Sequence, residues 1–376
     1  MRHRRCWHAN GSGVLPLGVW RLPGVGGTRA LLVRVAAKRR APAYHRLGLN
    51  GAKEGVCLVL LCAGVSEKGP VKSVNQDAYL VKRAQTSAGD VALAVVADGM
   101  SGLQRGQVAS GAIVRAFDEW FQRDLPLAGE SLGFSGDAFA RAMQVQWANL
   151  LQEINLSLLK RGLHEGVSMG AACTVFLVAA ETYYVMQVGD TRLYCLDNRA
   201  VCQITRDQTF AAREIAAGRL ASNEAERHPL RNSLLQCVGA SHDLMPVFSQ
   251  GPFDKRYSYL VCSDGFRRSL TDAELYQALN ASALRARAAS ARGEGVGAAA
   301  TRDAGADADG TAAAAATASF LGTSPDERLK AYLRQLIDVV FARGQRDNAT
   351  VVAVTSGAAP SVSSSDRNES ERCGSC

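Results

Sequence analysis

Between Cys173 and Leu196 three apolar runs, "CTVFLVA", "YYVMQV" and "LYCL", follow one another with only a few residues between them. Parallel strands need a crossover of a dozen residues or more, so strands that follow one another without a helix between them argue for antiparallel sheets flanked by helices. Further strand-like runs lie at Val56–Ala63, Val91–Ala97, Tyr257–Cys262 and Ala349–Thr355; several end at Gly or Asp. Two long stretches, "GQVASGAIVRAFDEWFQ" and "DAFARAMQVQWANLLQEINLSLLKRG", repeat apolar residues every third or fourth position and predict helices. Shorter helices fit Phe210–Gly218, Thr271–Asn280 and Pro325–Ala342, the last with Ser324 as N-cap, Pro325 in the first turn and Gly344 near its stop. Strands, two long helices, more strands, further helices and a final strand make an α+β chain, not the alternation of a doubly wound sheet.

The chain has 376 residues and is 47% hydrophobic, enough for one large core or two modest ones. Its net charge of +8 is unevenly placed, because residues 1–46 carry ten Lys or Arg and no acid. Removing those ten from 43 basic residues leaves 33 against 35 acids. The body is therefore not a basic nucleic-acid groove, and no nucleic-acid partner is expected for it. Residues 1–54 read as a basic, flexible extension, and 357–376 as a flexible tail. Residues 281–320 hold eighteen alanines broken by "GEGVG" and "DAGADADG", and read as a low-complexity, disordered insertion. No stretch approaches the roughly 20 apolar residues of a spanning helix. With no export signal in view, the expectation is a cytoplasmic protein without a transmembrane segment, and a monomer. Of ten cysteines, most sit in apolar segments as small hydrophobes, and the C-x-x-C of Cys373 and Cys376 lacks a second pair for zinc.

Four acids share one setting. Asp77 in "KSVNQDAYLV" stands at a strand entrance, Asp98 in "VVADGMSG" at a strand exit, Asp264 in "YLVCSDGFRRSL" at another exit, and Asp347 in "RGQRDNATVVAV" just before the last strand. An unpaired carboxylate beside a hydrophobic run is costly to bury. Singly, each reads as a cap, a turn or the partner of a nearby arginine. Jointly they are the oxygen donors that hard divalent cations such as Mg²⁺ or Mn²⁺ require, and strand ends at one edge of a sandwich can gather them.

Residues 55–356 resemble a bacterial member of the protein phosphatase 2C family, the metal-dependent serine/threonine protein phosphatases. The matching segments stand in the family's order: "GPVKSVNQDA", "VADGMSGLQRGQVAS", "MGAACTVFLVAAETYYVMQVGDTRLYCL", "ITRDQTFAARE", "HPLRNSLLQCVG", "YLVCSDGFRRSLTDAEL" and "RDNATVVAV". The resemblance implies a four-layer α-β-β-α sandwich with two central antiparallel sheets. It also implies two Mn²⁺ or Mg²⁺ ions held by Asp77, Asp98, Asp264, Asp347 and the backbone carbonyl of Gly99, with Asp98 bridging. Asn348 would position Asp347, Asp190 would sit in a turn that supports the site without being a ligand, and Gly170 and Thr174 would be structural. The implied reaction is hydrolysis of phosphoserine or phosphothreonine in proteins, opposing a Ser/Thr kinase.

Departures from the family pattern shape the expectations. Lys72 stands where members commonly carry arginine, so it offers a point charge to phosphate in place of a fork. Met100 takes the place of a histidine proposed as general acid in eukaryotic members. Ser101 replaces a second glycine, and "GAACT" departs from the common "GTT". Glu165 in "HEGVSMG" is the only acid near the third-ion position, so two ions are expected. His228 reads as a loop residue. A catalytically silent module that binds a phosphoprotein or kinase is the alternative, motivated by Lys72 and "GAACT".

Overall fold

The structure is a computed structural model that describes residues 59–357, apart from 87, 101, 102, 104, 198, 226 and 291–323. The extension 1–54, most of the alanine-rich stretch, Ser101 and the tail therefore lie outside the described residues. Among the described residues, ten strands form two five-stranded sheets. One has the order β1 (Leu60–Glu67), β10 (Ala349–Ser356), β9 (Ser258–Cys262), β6 (Arg192–Leu196) and β7 (Val201–Gln203). The other runs β2 (Ala78–Thr86), β3 (Gly89–Gly99), β4 (Ala171–Ala179), β5 (Thr182–Val188) and β8 (Val247–Pro252). Every pairing is antiparallel.

The layers follow from the two-residue period of the strands. In β3, Leu93, Val95 and Ala97 pack outward against α1 (Gly106–Leu132) and α2 (Gly136–Glu165), in a core that includes Phe117, Trp120, Trp147 and Leu151. The alternate residues Ala92, Ala94 and Val96 face inward and meet Leu193, Tyr259, Val261, Val352 and Val354 of the opposite sheet. The outer face of that second sheet is covered by α6 (Asp272–Leu279), α7 (Ala281–Ala289) and α8 (Pro325–Ala342), through Leu275, Leu284, Leu333 and Ile337. The four-layer sandwich is thus present, helices outside and sheets inside.

Local chemistry sets the ends. Ser324 accepts from the Glu327 N–H at 3.2 Å and Pro325 opens α8. Thr271 and Glu274 form a reciprocal capping box on α6. Short helices α3 (Phe210–Ala216), α4 (Ser222–Ala225) and α5 (Asp264–Arg267) punctuate the loops. Among the described residues, no helix is long and apolar enough to cross a membrane.

Three expectations are corrected. The first strand runs to Glu67, beyond the expected Ala63, because Gly64–Glu67 pair with Val352–Ala349. Strands β7 and β8 were not expected. The alanine-rich segment was set to begin at residue 281, yet Ala281–Ala289 is a helix capped by Asn280, with Leu284 and Ala288 buried against α8 and the second sheet. Alanine is the best helix former, and one leucine with two small residues suffices for a packed face.

Candidate functional site

Antiparallel pairing carries four chain segments to one end of the sandwich. Strand β3 ends at Asp98 and Gly99, opposite Ala172 and Ala171. The loop of residues 68–77 enters β2 beside it. Strand β9 ends at Cys262, followed by Ser263 and Asp264, while Asp347 and Asn348 lead into β10.

Side-chain hydrogen bonds lock these segments together. Asn348 is buried, donates from Nδ2 to the Lys68 carbonyl at 2.7 Å, and accepts the Gln76 N–H on Oδ1 at 3.0 Å. Its own N–H donates to Asp347 Oδ1 at 3.0 Å. The Gln76 carbonyl accepts from the Gly99 N–H at 3.1 Å and from Ser110 Oγ at 2.6 Å, which ties the loop to β3 and α1. Asp77 is buried and accepts from Thr350 Oγ1 at 2.7 Å; the Thr350 N–H in turn donates to Ser263 Oγ at 3.0 Å.

Glycine is required at three contacts. Gly99 and Gly106 meet backbone to backbone, so that a Cβ on Gly106 would lie 2.7 Å from the Gly99 carbonyl carbon. A Cβ on Gly99 would collide with the Gln76 carbonyl and with Gly106 itself. At Gly265 a Cβ would run into the Asn348 carbonyl, which brings the start of α5 against the approach to β10.

The carboxylates are close enough to raise one another's proton affinity. Loss of hydration, then the charges of Asp77, Asp264, Asp190 and Asp347, pushes Asp98 well above the usual carboxylate range. Asp77 rises to about 6, chiefly from burial and against the pull of its Thr350 and Ser263 hydrogen bonds, with Asp264 and Asp347 adding to the rise. Burial also lifts Asp264, partly offset by the Arg268 guanidinium that pairs with it. Asp98 keeps part of its surface open to solvent, so an ion can reach the carboxylate that the protein has dehydrated. Among the described residues, no three His, Cys, Asp or Glu side chains converge on one point as a cage.

Other expected residues fall as follows. Lys72 Nζ lies 3.1 Å from Asp347 Oδ1, at the rim of the cluster. Glu165 is held by Arg105 and by Arg161 at 2.7 Å, so both of its strong partners are cations of the chain. Thr174 is buried and bonds Thr191 Oγ1 at 2.8 Å, while Gly170 packs beneath Leu103 and Cys237. His228 accepts the Leu230 N–H at 3.1 Å and stacks on Phe210 at 4.9 Å, a loop role.

The structure adds participants that sequence reasoning missed. Asp190, expected in a turn that supports the site but not as a ligand, is pushed to about 7 by burial and then by Asp264 and Asp207. Arg192 clamps Asp207 with two hydrogen bonds of 2.8 and 2.6 Å. Strand-border position signalled Asp190 as it did the other four acids; Gly106 and Arg192 carried no such signal.

Comparison with known proteins places this arrangement. The family model described as protein phosphatase 2C matches residues 70–300. The serine/threonine protein phosphatase PstP of Mycobacterium tuberculosis is 30% identical over 224 residues, a match spanning 60% of this chain and 40% of that protein. The crystal structure of the serine/threonine phosphatase Stp1 from Staphylococcus aureus superposes with a TM-score of 0.57 and 20% identity, over 82% of this chain and 99% of that one. The catalytic domain of PstP, solved in complex with two manganese ions, gives a TM-score of 0.53 and 22% identity, over 80% and 100% of the two chains. With the family model covering more than half its length, the chain belongs to the protein phosphatase 2C family.

Proposed function

We propose that this chain hydrolyses phosphoserine and phosphothreonine in proteins with two divalent ions, Mn²⁺ or Mg²⁺, and so reverses a Ser/Thr kinase. The observation that supports this reading is the hydrogen-bonded seam joining the segments that carry Asp77, Asp98 and Asp347: Asn348 to Gln76 and Lys68, Gly99 to Gln76, and Thr350 to Asp77. The acids so gathered are destabilised by their mutual repulsion unless cations neutralise them. The donors fit hard cations: carboxylate oxygens and the Gly99 carbonyl, with no sulfur or imidazole among them. The presence of two manganese ions in the PstP catalytic domain supports the same count.

When bound, such ions supply Lewis-acid polarisation of the phosphoryl oxygens and lower the pKa of water. The chain itself supplies position. Asp98 brings its charge from the rigid end of β3, where the Gly99–Gly106 contact and the Gln76 carbonyl fix the backbone. Asp77 and Asp264 hold charge from the loop and from the end of β9, and Asp347 does so from the entrance to β10. Lys72 places a positive charge at the rim, attracting a dianionic phosphate and orienting it less firmly than an arginine would. Met100 cannot donate a proton, so protonation of the leaving alkoxide falls to water or to another residue of the chain.

The test is manganese-dependent release of phosphate from matched phosphothreonine, phosphoserine and phosphotyrosine peptides, with free nucleotides as controls. Turnover should favour the first two peptides and vanish on chelation. Asp98→Asn should lower kcat/KM at least about a hundredfold, equal to ~2.7 kcal/mol, and calorimetry should show weakened manganese binding. Full turnover in that variant, or turnover of nucleotides alone, would overturn the reading.

A further inference from the structure

Cys195 and Cys202 stand directly opposite each other on β6 and β7, the outermost pair of strands in their sheet. Directly opposed residues of an antiparallel pair project from the same face. The phase of the ladder can be read from its ends. Leu193 O accepts from the Ile204 N–H at 2.8 Å, and the Asp197 N–H donates to Ala200 O at 3.2 Å. Hydrogen-bonded pairs alternate along such a ladder, so Cys195 and Cys202 form one of them, with Cα atoms about 5.5 Å apart. That separation lies inside the roughly 4.4–6.8 Å window of disulfides. Opposed Cβ atoms lie about 4.5–5.5 Å apart, hydrogen-bonded pairs toward the wide end, which is beyond the roughly 3.5–4.5 Å of disulfides, so a bond there must draw the strands together.

Both thiols are free, Cys195 half-buried and Cys202 exposed. We propose that Cys195 and Cys202 are a reversible redox pair, which a peroxide converts into a cross-strand disulfide at the edge of the sheet. The Cys202 thiolate attacks one oxygen of hydrogen peroxide, the O–O bond breaks, and the displaced hydroxide takes the thiol proton and leaves as water. The Cys195 sulfur then attacks the Cys202 sulfenic sulfur. The S–S bond forms, the S–O bond breaks, and the departing hydroxide takes the Cys195 proton as a second water. Two thiols lose two electrons and two protons, and one peroxide is reduced to two waters. Attack starts at Cys202 because it is the sulfur more open to water. Burial pushes Cys195 up to about 12, and burial and then Asp197 also raise Cys202, so it is access to the peroxide that puts Cys202 first. A bond that draws the strands together is labile, so a small dithiol should reopen it.

The sequence makes the test direct. Trypsin cuts after Arg192, Arg199 and Arg206, which puts Cys195 on "LYCLDNR" and Cys202 on "AVCQITR". The full chain, folded by circular dichroism, is treated with hydrogen peroxide, its remaining thiols are alkylated, and the digest is read by mass spectrometry without reduction. The expected result is a linked peptide joining those two sequences. It should be absent in Cys202→Ser and lost on dithiothreitol treatment with recovery of both alkylated thiols. Cys202 ending as sulfinic acid, joining a different cysteine, or staying alkylatable while other cysteines oxidise would each overturn the proposal.

Discussion

Gly99 and Gly106 meet through bare backbone at the point where β3 delivers Asp98, and neither can carry a side chain without moving the other. Gly99→Ala should keep the fold and displace Asp98. Manganese affinity measured by calorimetry is expected to fall about tenfold or more, equal to ~1.4 kcal/mol, with a native circular dichroism spectrum. Lys72 makes the opposite prediction. Its ammonium shares Asp347 with any incoming cation, so Lys72→Ala should leave manganese affinity equal or tighter while raising KM for phosphopeptides about fivefold, equal to ~1 kcal/mol. Lys72→Arg should restore or lower KM. Weaker metal binding with unchanged KM in Lys72→Ala would assign it to the ions and not to phosphate. At this scale the sequence was legible wherever a carboxylate interrupted an apolar run, since burying such a charge demands a reason that can be seen locally. Gly106, Thr350 and Ser263 were not legible, because each acts through a partner distant in sequence that only the fold brings near.

Elements were legible where their period was long and undisturbed. Helix α8 starts and stops at the expected residues because Ser324, Pro325 and a buried Leu329–Leu333–Leu336–Ile337 stripe agree with one another. Strand β8 was invisible because Phe248 is its one buried residue, Val247 is exposed, and Ser249, Gln250 and Gly251 carry no apolar alternation. Helix α7 was hidden by composition, since alanine marks both a helix and a low-complexity tract. The correction has a testable edge. Replacing residues 291–323 with a short Gly/Ser linker should leave phosphopeptide turnover within about threefold of the parent, under ~0.7 kcal/mol. Extending the deletion back to residue 281 removes Leu284 from the second core and should lower unfolding free energy by about 2–5 kcal/mol in denaturant titration. The β4–β5 turn offers a gain. Ala180 and Glu181 adopt positive φ of 45° and 62°, a conformation glycine holds without penalty. Ala180→Gly should raise stability by up to about 1 kcal/mol.

For the molecule as a whole, the carboxylate end is where the two sheets must be held together against repulsion. In the metal-free chain Asp77 and Asp190 take protons up to about 6 and about 7, against roughly 3.9 when unfolded. The folded state therefore binds more protons between those limits, and chelated protein should lose stability as pH rises from about 4 to about 7. Thermal unfolding with and without manganese checks this: the slope should flatten when the ions are present. Antiparallel sheets were legible because strands without helices between them leave no room for parallel crossovers, while the layer order came from the family resemblance; β5 and β6, close in sequence, go to different sheets. Which strands share a sheet was not, since β1 finds β10 across nearly the full described chain. That pairing has a further consequence. Leu60 lies opposite Ser356 at one end of the sheet, and Glu67 opposite Ala349 at the other, beside Asp347. The polypeptide thus enters and leaves the sandwich side by side, at the pole away from its chemistry. Both ends of the sandwich can be tethered to a neighbouring domain or scaffold without shading the pole that carries Asp98 and Asp347, and a short bridge from one to the other would make the fold a candidate for circular permutation.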